Sequence, residues 1–328
     1  MRIYQSRVPM VQRGKRIDYL RSTVPLDFEE TYYPGGFHVE IATNSRDILY
    51  AAEEAWGHCR REFECEPMRF RVLVEPEGGL SEIPSHRMQG HLYSIVSDPY
   101  NFAHIDLGRQ FGFIQISEAT AADHSWLRWF FLETAVYVVL TQRYIVPIHA
   151  ACIARERAGI LLSGPSGAGK STLSYACARA GWTFVSDDAT WLLPNRPERI
   201  AIGRPRQARF RSDAPRLFPE LEGYIARARP NGKVSIEVPI AELPEIHTAE
   251  RVPIEAIVFL DRGSGAAGIQ SVSGAEAVER VLADLPSYGD AVDAMHDRTV
   301  RKLAGARALR MRYDSLADAL AILGTLVL

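Results

Sequence analysis

The sequence is poor in cysteine: of 328 residues only Cys59, Cys65, Cys152 and Cys177 are cysteines, and no two form a CxxC pair. So sparse a set supplies neither a disulfide framework nor a cysteine zinc site, and it suits buried, reduced thiols in a cytosol. Charge of one sign is missing as well. The 38 Lys and Arg nearly balance the 40 Asp and Glu, and a formal net charge of -2 gives no global footprint for nucleic acid. Long apolar runs are also absent. The most apolar segment, Trp126 to Leu140, contains Arg128 and Glu133 and falls short of the roughly 20 residues that a bilayer crossing needs. The opening residues, MRIYQSRVPM, hold no apolar core of signal-peptide type. The expectation is a cytoplasmic protein with no membrane partner.

What is present is an ordinary globular composition, 47% hydrophobic and 24% charged, in a chain long enough for two domains at about 100 to 200 residues each. Residues 1–125 read as a smaller α+β domain, with a helix from Ser45, whose serine suits an N-cap, and strand-like runs MRFRVLVEP and FGFIQIS. No chemical motif occurs there. The run from Trp126 to Leu140 reads as a core helix, its Trp126, Phe130, Tyr137 and Leu140 recurring at helical spacing and serving packing. Beyond it, residues 126–328 alternate apolar strands and helices, the pattern of an α/β domain.

Two strand-like runs, YIVPIHAACI (Tyr144 to Ile153) and GILLSG (Gly159 to Gly164), are separated by ARERA and suggest a hairpin. A turn centred on Glu156 and Arg157 sets His149 opposite Gly164. At Gly164 begins GPSGAGKS, which fits G-x-x-x-x-G-K-[ST] with an apolar strand before it and an amphipathic run after it. The residue types have a physical purpose. Gly164, Gly167 and Gly169 let the backbone amides of a loop that includes Pro165, Ser166 and Ala168 turn toward phosphate oxygens. The helix that follows, with Thr172 in its first turn, presents its positive end, Lys170 reaches the outer phosphates, and the Ser171 hydroxyl is suited to ligate Mg²⁺.

After a helix that ends at Gly181, WTFVSDD reads as a strand delivering Asp187 and Asp188 at its tip. Neighbouring side chains of an extended backbone point to opposite sides, so one carboxylate can hold the metal while the other faces an acceptor hydroxyl. This requires the helix to fold the acid strand back beside the loop's own strand.

The order IHA, GILLSGPSGAGKST and ARAGWTFVSDD, from Ile148 to Asp188, resembles the catalytic domain of HPr kinase/phosphorylase, whose fold is shared with phosphoenolpyruvate carboxykinase. The resemblance implies a P-loop kinase domain that uses ATP and Mg²⁺. It implies His149 and Asp187 as a catalytic pair, with the Asp as proton acceptor, Lys170 as phosphate-binding lysine, Ser171 as metal ligand and Asp188 as a second acid near the metal. It implies a hydroxyl-bearing substrate, above all a serine of a peptide or protein, with a small-molecule alcohol as alternative, and it is compatible with a homo-oligomer. The likeness has a gap. HPr kinases carry E-[IV]-R-G-[LM]-G after the loop, where this chain has GRPRQARFRSDAPRLFPEL, with Asp213 as the nearest acid. HPr itself is therefore not the expected substrate.

That replacement segment crowds Arg204, Arg206, Arg209, Arg211 and Arg216 together, either as a solvated basic loop or as a guanidinium clamp for carboxylate or phosphate. Lys233 is open in the same way. A rival reading rests on IEAIVFLD, Ile254 to Asp261, which has the form of a Walker B strand and would make the chain a mainstream ATPase using Asp261. A third is a regulatory module that binds ATP and transfers nothing.

Overall fold

The structure is a computed structural model that describes residues 24–228, 232–243 and 245–326. The N-terminal part contains β1 (Phe28–Tyr32), β2 (Val39–Thr43), α1 (Arg46–Trp56), β3 (Met68–Glu75), β4 (Ser85–Gln89), β5 (Leu92–Val96), β6 (Phe102–Asp106) and β7 (Phe111–Ser117). These strands form one sheet in the order β1-β2-β3-β7-β6-β5-β4. β3 lies parallel to both β2 and β7. The period-2 pattern of β3 sends Met68, Phe70, Val72 and Val74 into the core. Ser45 caps α1 by accepting the amide of Asp47, and Ile48, Ala51, Ala52, Ala55 and Trp56 form the helix's buried side.

A helical stretch follows: α2 (Glu118–Ala122), α3 (His124–Leu127), a π-helical turn (Arg128–Leu132) and α4 (Glu133–Arg143). Asp123 caps α3 through the amide of Trp126. The sequence reading sets this stretch at the opening of the second domain. Its Leu127, Phe131, Ala135 and Val139 join the same core cluster as Ile41, Ile48 and Phe70 of the N-terminal sheet.

The loop-bearing sheet starts with β8 (Val146–Ile148), β9 (Ala150–Arg155), β10 (Ala158–Ser163), α5 (Lys170–Arg179), β11 (Thr183–Ser186), β12 (Thr190–Leu192) and β13 (Ile200–Ile202). A separate small sheet, ordered β14-β16-β15, comprises β14 (Gln207–Phe210), β15 (Arg227–Ala228) and β16 (Val234–Pro239). The chain returns through β17 (Arg251–Arg262), β18 (Gly268–Ser271), α6 (Gly274–Ala283), α7 (Asp290–Arg301), β19 (Arg307–Tyr313) and α8 (Leu316–Gly324). The main order is β11-β9-β10-β17-β13-β12-β8, with β19 added to β17 and β18 to β19. The result is a mixed α/β structure.

Strands β10, β17 and β19 are parallel neighbours, and both their faces are covered, which explains the continuous apolar runs in β10 and β17. Ile160 and Leu162 pack with Leu173 and Cys177 of α5 and Ala319 and Leu323 of α8. Leu161 and Ile257 face the other way, toward Ala277 and Val281 of α6 and Val300 of α7. No helix among the described residues is long and apolar enough to cross a membrane.

Candidate active site

The hairpin of β9 and β10 has the register expected from its turn: Arg155 faces Ala158 and Ala150 faces Ser163, so the ladder continues toward His149 and Gly164. The strand carrying the acids is not beside β10. β9 stands between them, antiparallel to both, and β11 therefore runs in the same direction as β10 and ends at the same edge. That edge gathers the loop, His149 and both carboxylates.

Gly164 to Gly169 form the loop between β10 and α5. Pro165, Ser166 and Gly167 are exposed at its crest, Ala168 is buried, and Ser171 and Thr172 are half-buried in the first turn of the helix. Gly169 has φ +94, a backbone state open to glycine at little cost, and a methyl group there would lie 2.7 Å from the Tyr313 hydroxyl. Tyr313, at the end of β19, donates its hydroxyl proton to the Ala168 carbonyl and so fastens the loop from outside. The sequence carries no local signal for that contact.

Lys170 is 6% exposed and its ammonium donates to the Gly164 carbonyl at 2.7 Å, which holds it over the loop. Burial pushes this ammonium below its ordinary pKa, the charges of Asp188 and Asp284 pull it back up, and Lys233 adds to the downward push. Asp284, just past α6, and Lys233 thus lie within electrostatic reach of the loop lysine. Nothing in the sequence around Asp284 singles it out for that position.

The acid pair is arranged differently from the expectation. β11 carries a bulge between Phe184 and Ser186, and the chain leaves the ladder before rejoining it as β12 opposite β8. His149 occupies the matching break between β8 and β9. Ser186 Oγ lies 2.9 Å from Thr190 Oγ1, which donates to the Ala150 carbonyl at 2.8 Å and closes the turn over Asp187 to Ala189. Bulges of this kind re-aim side chains. Here His149 Nε2 meets Asp188 Oδ1 at 3.1 Å, where the resemblance implies Asp187 as the partner.

Asp187 turns inward. It is 5% exposed, and its Oδ2 accepts the Arg209 amide at 2.8 Å. Burial pushes its carboxyl above the ordinary value, against the charge and amide of Arg209, while Asp188 adds to the rise. The Ser171 hydroxyl donates to the Asp187 backbone carbonyl at 3.3 Å, which ties the first turn of α5 to the acid-bearing turn.

The residues fit the nucleotide that the loop motif implies: glycine φ values of +91 at Gly167 and +94 at Gly169, a buried lysine over the loop and a hydroxyl in the first helical turn. Among the described residues, no group of three or more His, Cys, Asp or Glu is gathered to hold a metal alone. Mg²⁺ asks for less from a protein. It is commonly held by one or two side chains together with substrate phosphates and water.

The arginine segment separates into distinct roles. Arg204 Nη1 meets Glu133 at 3.0 Å and its guanidinium lies over the Tyr137 ring. Arg209 Nε meets Glu237 at 3.0 Å. Arg206 and Arg216 are exposed, as is Asp213 on the turn beyond β14. The rival acid, Asp261, accepts from Arg310 at 2.7 Å and Arg312 at 3.0 Å, and these hydrogen bonds hold its carboxyl below the ordinary value. Its carboxylate is thereby committed to two guanidinium groups.

A family model described as "ScmC: SynChlorMet cassette protein ScmC" matches residues 113–202, a minority of the chain that runs from β7 to β13 and includes His149, the whole loop and both acids. No curated protein matches the sequence. Among solved structures, the Hpr(Ser) kinase/phosphatase from Coxiella burnetii aligns at 13% identity and a TM-score of 0.29, over 53% of this chain and 87% of that one.

Proposed function

We propose that the protein is an ATP- and Mg²⁺-dependent phosphotransferase whose acceptor is a hydroxyl, a serine of a peptide or protein. The observation that carries this reading is the convergence at one sheet edge of a glycine-rich loop with its buried Lys170 and a half-exposed carboxylate, Asp188, hydrogen-bonded to His149. A proton acceptor positioned beside the loop favours transfer over a switch that only binds nucleotide. An ATPase reading through Asp261 is disfavoured by the two arginines that occupy its carboxylate.

In this mechanism the loop amides and Lys170 hold the terminal phosphates in line with the acceptor, so the chief contributions are positional and electrostatic. Mg²⁺ would be held by Ser171 together with phosphate oxygens and water, and would supply charge neutralisation on the phosphates. The roles implied by the resemblance are exchanged. Asp188, reachable from solvent and oriented by His149, accepts the hydroxyl proton, whereas buried Asp187 fixes the geometry on the Ser171 side. A carboxylate suffices as proton acceptor because the proton leaves late in a loose transition state.

The test is transfer of the γ-phosphate to peptide and protein fractions by the intact protein and by Lys170→Ala. The variant is expected to lose at least ~10²-fold in turnover, the leverage of a single electrostatic group. Equal turnover in the two proteins would remove the loop from the chemistry.

A further inference from the structure

Of the five arginines in the segment after β13, Arg211 is the one that meets the loop at Gly167. A methyl group built on Gly167, whose φ of +91 forms the crest of the loop, would lie 3.1 Å from Arg211 Nη2. The guanidinium therefore lies against the crest of the loop.

This approach is held in place by its neighbours. Two residues earlier, the Arg209 amide is bonded to the Asp187 carboxylate, and the Arg209 side chain is paired with Glu237 across β16. Phe210, between them, is buried edge-on against Tyr175 of α5, at 4.9 Å between ring centres, and near Phe218. The end of β14 is thus pinned to the helix that begins at the loop lysine. Alternation along β14 sends the Arg209 side chain to the side opposite Phe210, and Arg211 is the first residue past the strand, where the turn toward Ala214 begins. Arg209 is neutralised by Glu237. Arg211 is exposed, and no carboxylate among the described residues pairs with it.

We propose that Arg211 contacts the terminal phosphate of the bound nucleotide and stabilises its charge during transfer. The inference rests on the phosphotransferase reading. In the step concerned, the acceptor oxygen forms a bond to the γ-phosphorus and the bond to the β,γ-bridging oxygen breaks. ADP leaves with that electron pair, and the hydroxyl proton passes to the Asp188 carboxylate. Negative charge grows on the bridging oxygen and is spread over the equatorial oxygens, and a guanidinium fork from the protein's own chain matches those oxygens in geometry and charge. Arg204 and Arg209 are committed to Glu133 and Glu237, and the approach to Gly167 is what selects Arg211 for this contact.

The test compares equilibrium binding of Mg-ATP and Mg-ADP to the full chain, to Arg211→Ala and Arg211→Lys, and to Arg216→Ala as a control. Arg211→Ala is expected to bind ATP at least ~10-fold more weakly with ADP affinity changed less than ~2-fold, Arg211→Lys to recover part of the loss, and Arg216→Ala to match the intact protein. Because Arg211 is exposed, its variants are expected to keep the melting temperature of the parent. Unchanged ATP binding, or equal losses for ATP and ADP, overturns the assignment while the phosphotransferase reading stands. Failure of the intact protein to bind either nucleotide overturns both.

Discussion

Replacing Asp188 by Asn removes one negative charge at nearly constant shape, and the structure predicts a sharp separation between its effects on stability and on turnover. The His149 and Asp188 side chains are 50% and 53% exposed and meet at 3.1 Å. A polar contact so open to water contributes about 0–1 kcal/mol to folding, so the melting temperature is expected to fall by no more than about 4 °C. Turnover is expected to fall at least ~10²-fold, because a positioned general base contributes that much or more. Asp187→Asn provides the contrast. Its carboxyl is pushed above the ordinary value near 3.8 by burial. A raised folded-state pKa means that the neutral carboxyl favours folding below that ordinary value and that this contribution is lost as pH rises through the folded-state pKa. At neutral pH the Asp187→Asn protein, whose new amide oxygen still accepts from the Arg209 amide, should therefore melt no lower than its parent. Its melting temperature should also fall less as the pH is raised from the acid side. The assays are thermal melts across pH and single-turnover transfer of labelled γ-phosphate. Full turnover in Asp188→Asn would refute the assignment of the exposed acid as proton acceptor, and loss of the fold in that variant would refute its small share in stability.

Gly169→Ala forces an L side chain into φ +94 and toward the Tyr313 hydroxyl, 2.7 Å from the added carbon. The left-handed backbone alone costs about 1–2 kcal/mol, so the variant should melt lower and bind Mg-ATP more weakly, and Tyr313→Phe in the same background should recover part of the melting loss; no change on Gly169→Ala would contradict the loop geometry. His58 is held from its ordinary 6.5 to about 4 by burial, then by Arg206 and Arg204. A depressed folded-state pKa means that stability is held above 6.5 and lost as pH falls through about 4, so melting curves should show this loss and His58→Gln should flatten it. Asp261→Asn should lower the melting temperature through its lost arginine partners and leave turnover within about 3-fold; a collapse of turnover would restore the Walker B reading.

The hairpin register was legible because a two-residue turn fixes every pair across it, and the loop was legible because its glycines, lysine and serine sit at set intervals between a strand and a helix. The partner of His149 was not. Simple alternation along WTFVSDD ignores the bulge between Phe184 and Ser186, and no local pattern announces that β8 and β9 break at the same level. The insertion of β9 between the loop strand and the acid strand is likewise a long-range pairing. The Trp126 to Leu140 stretch was readable as a core helix, but its apolar face does not say which sheet it covers, and it covers the N-terminal one. The choice among five neighbouring arginines depended on the approach of Arg211 to Gly167 and on Glu133 and Glu237, distant in sequence, which engage Arg204 and Arg209.

The most direct test of the central claim follows the label of γ-labelled ATP incubated with the purified protein, Mg²⁺ and a soluble extract resolved into peptide, protein and metabolite fractions, with Asp188→Asn as control. The account predicts label on a peptide or protein serine with the intact protein and its loss with the variant. Label that stays in ATP, or that appears only as inorganic phosphate, would contradict it.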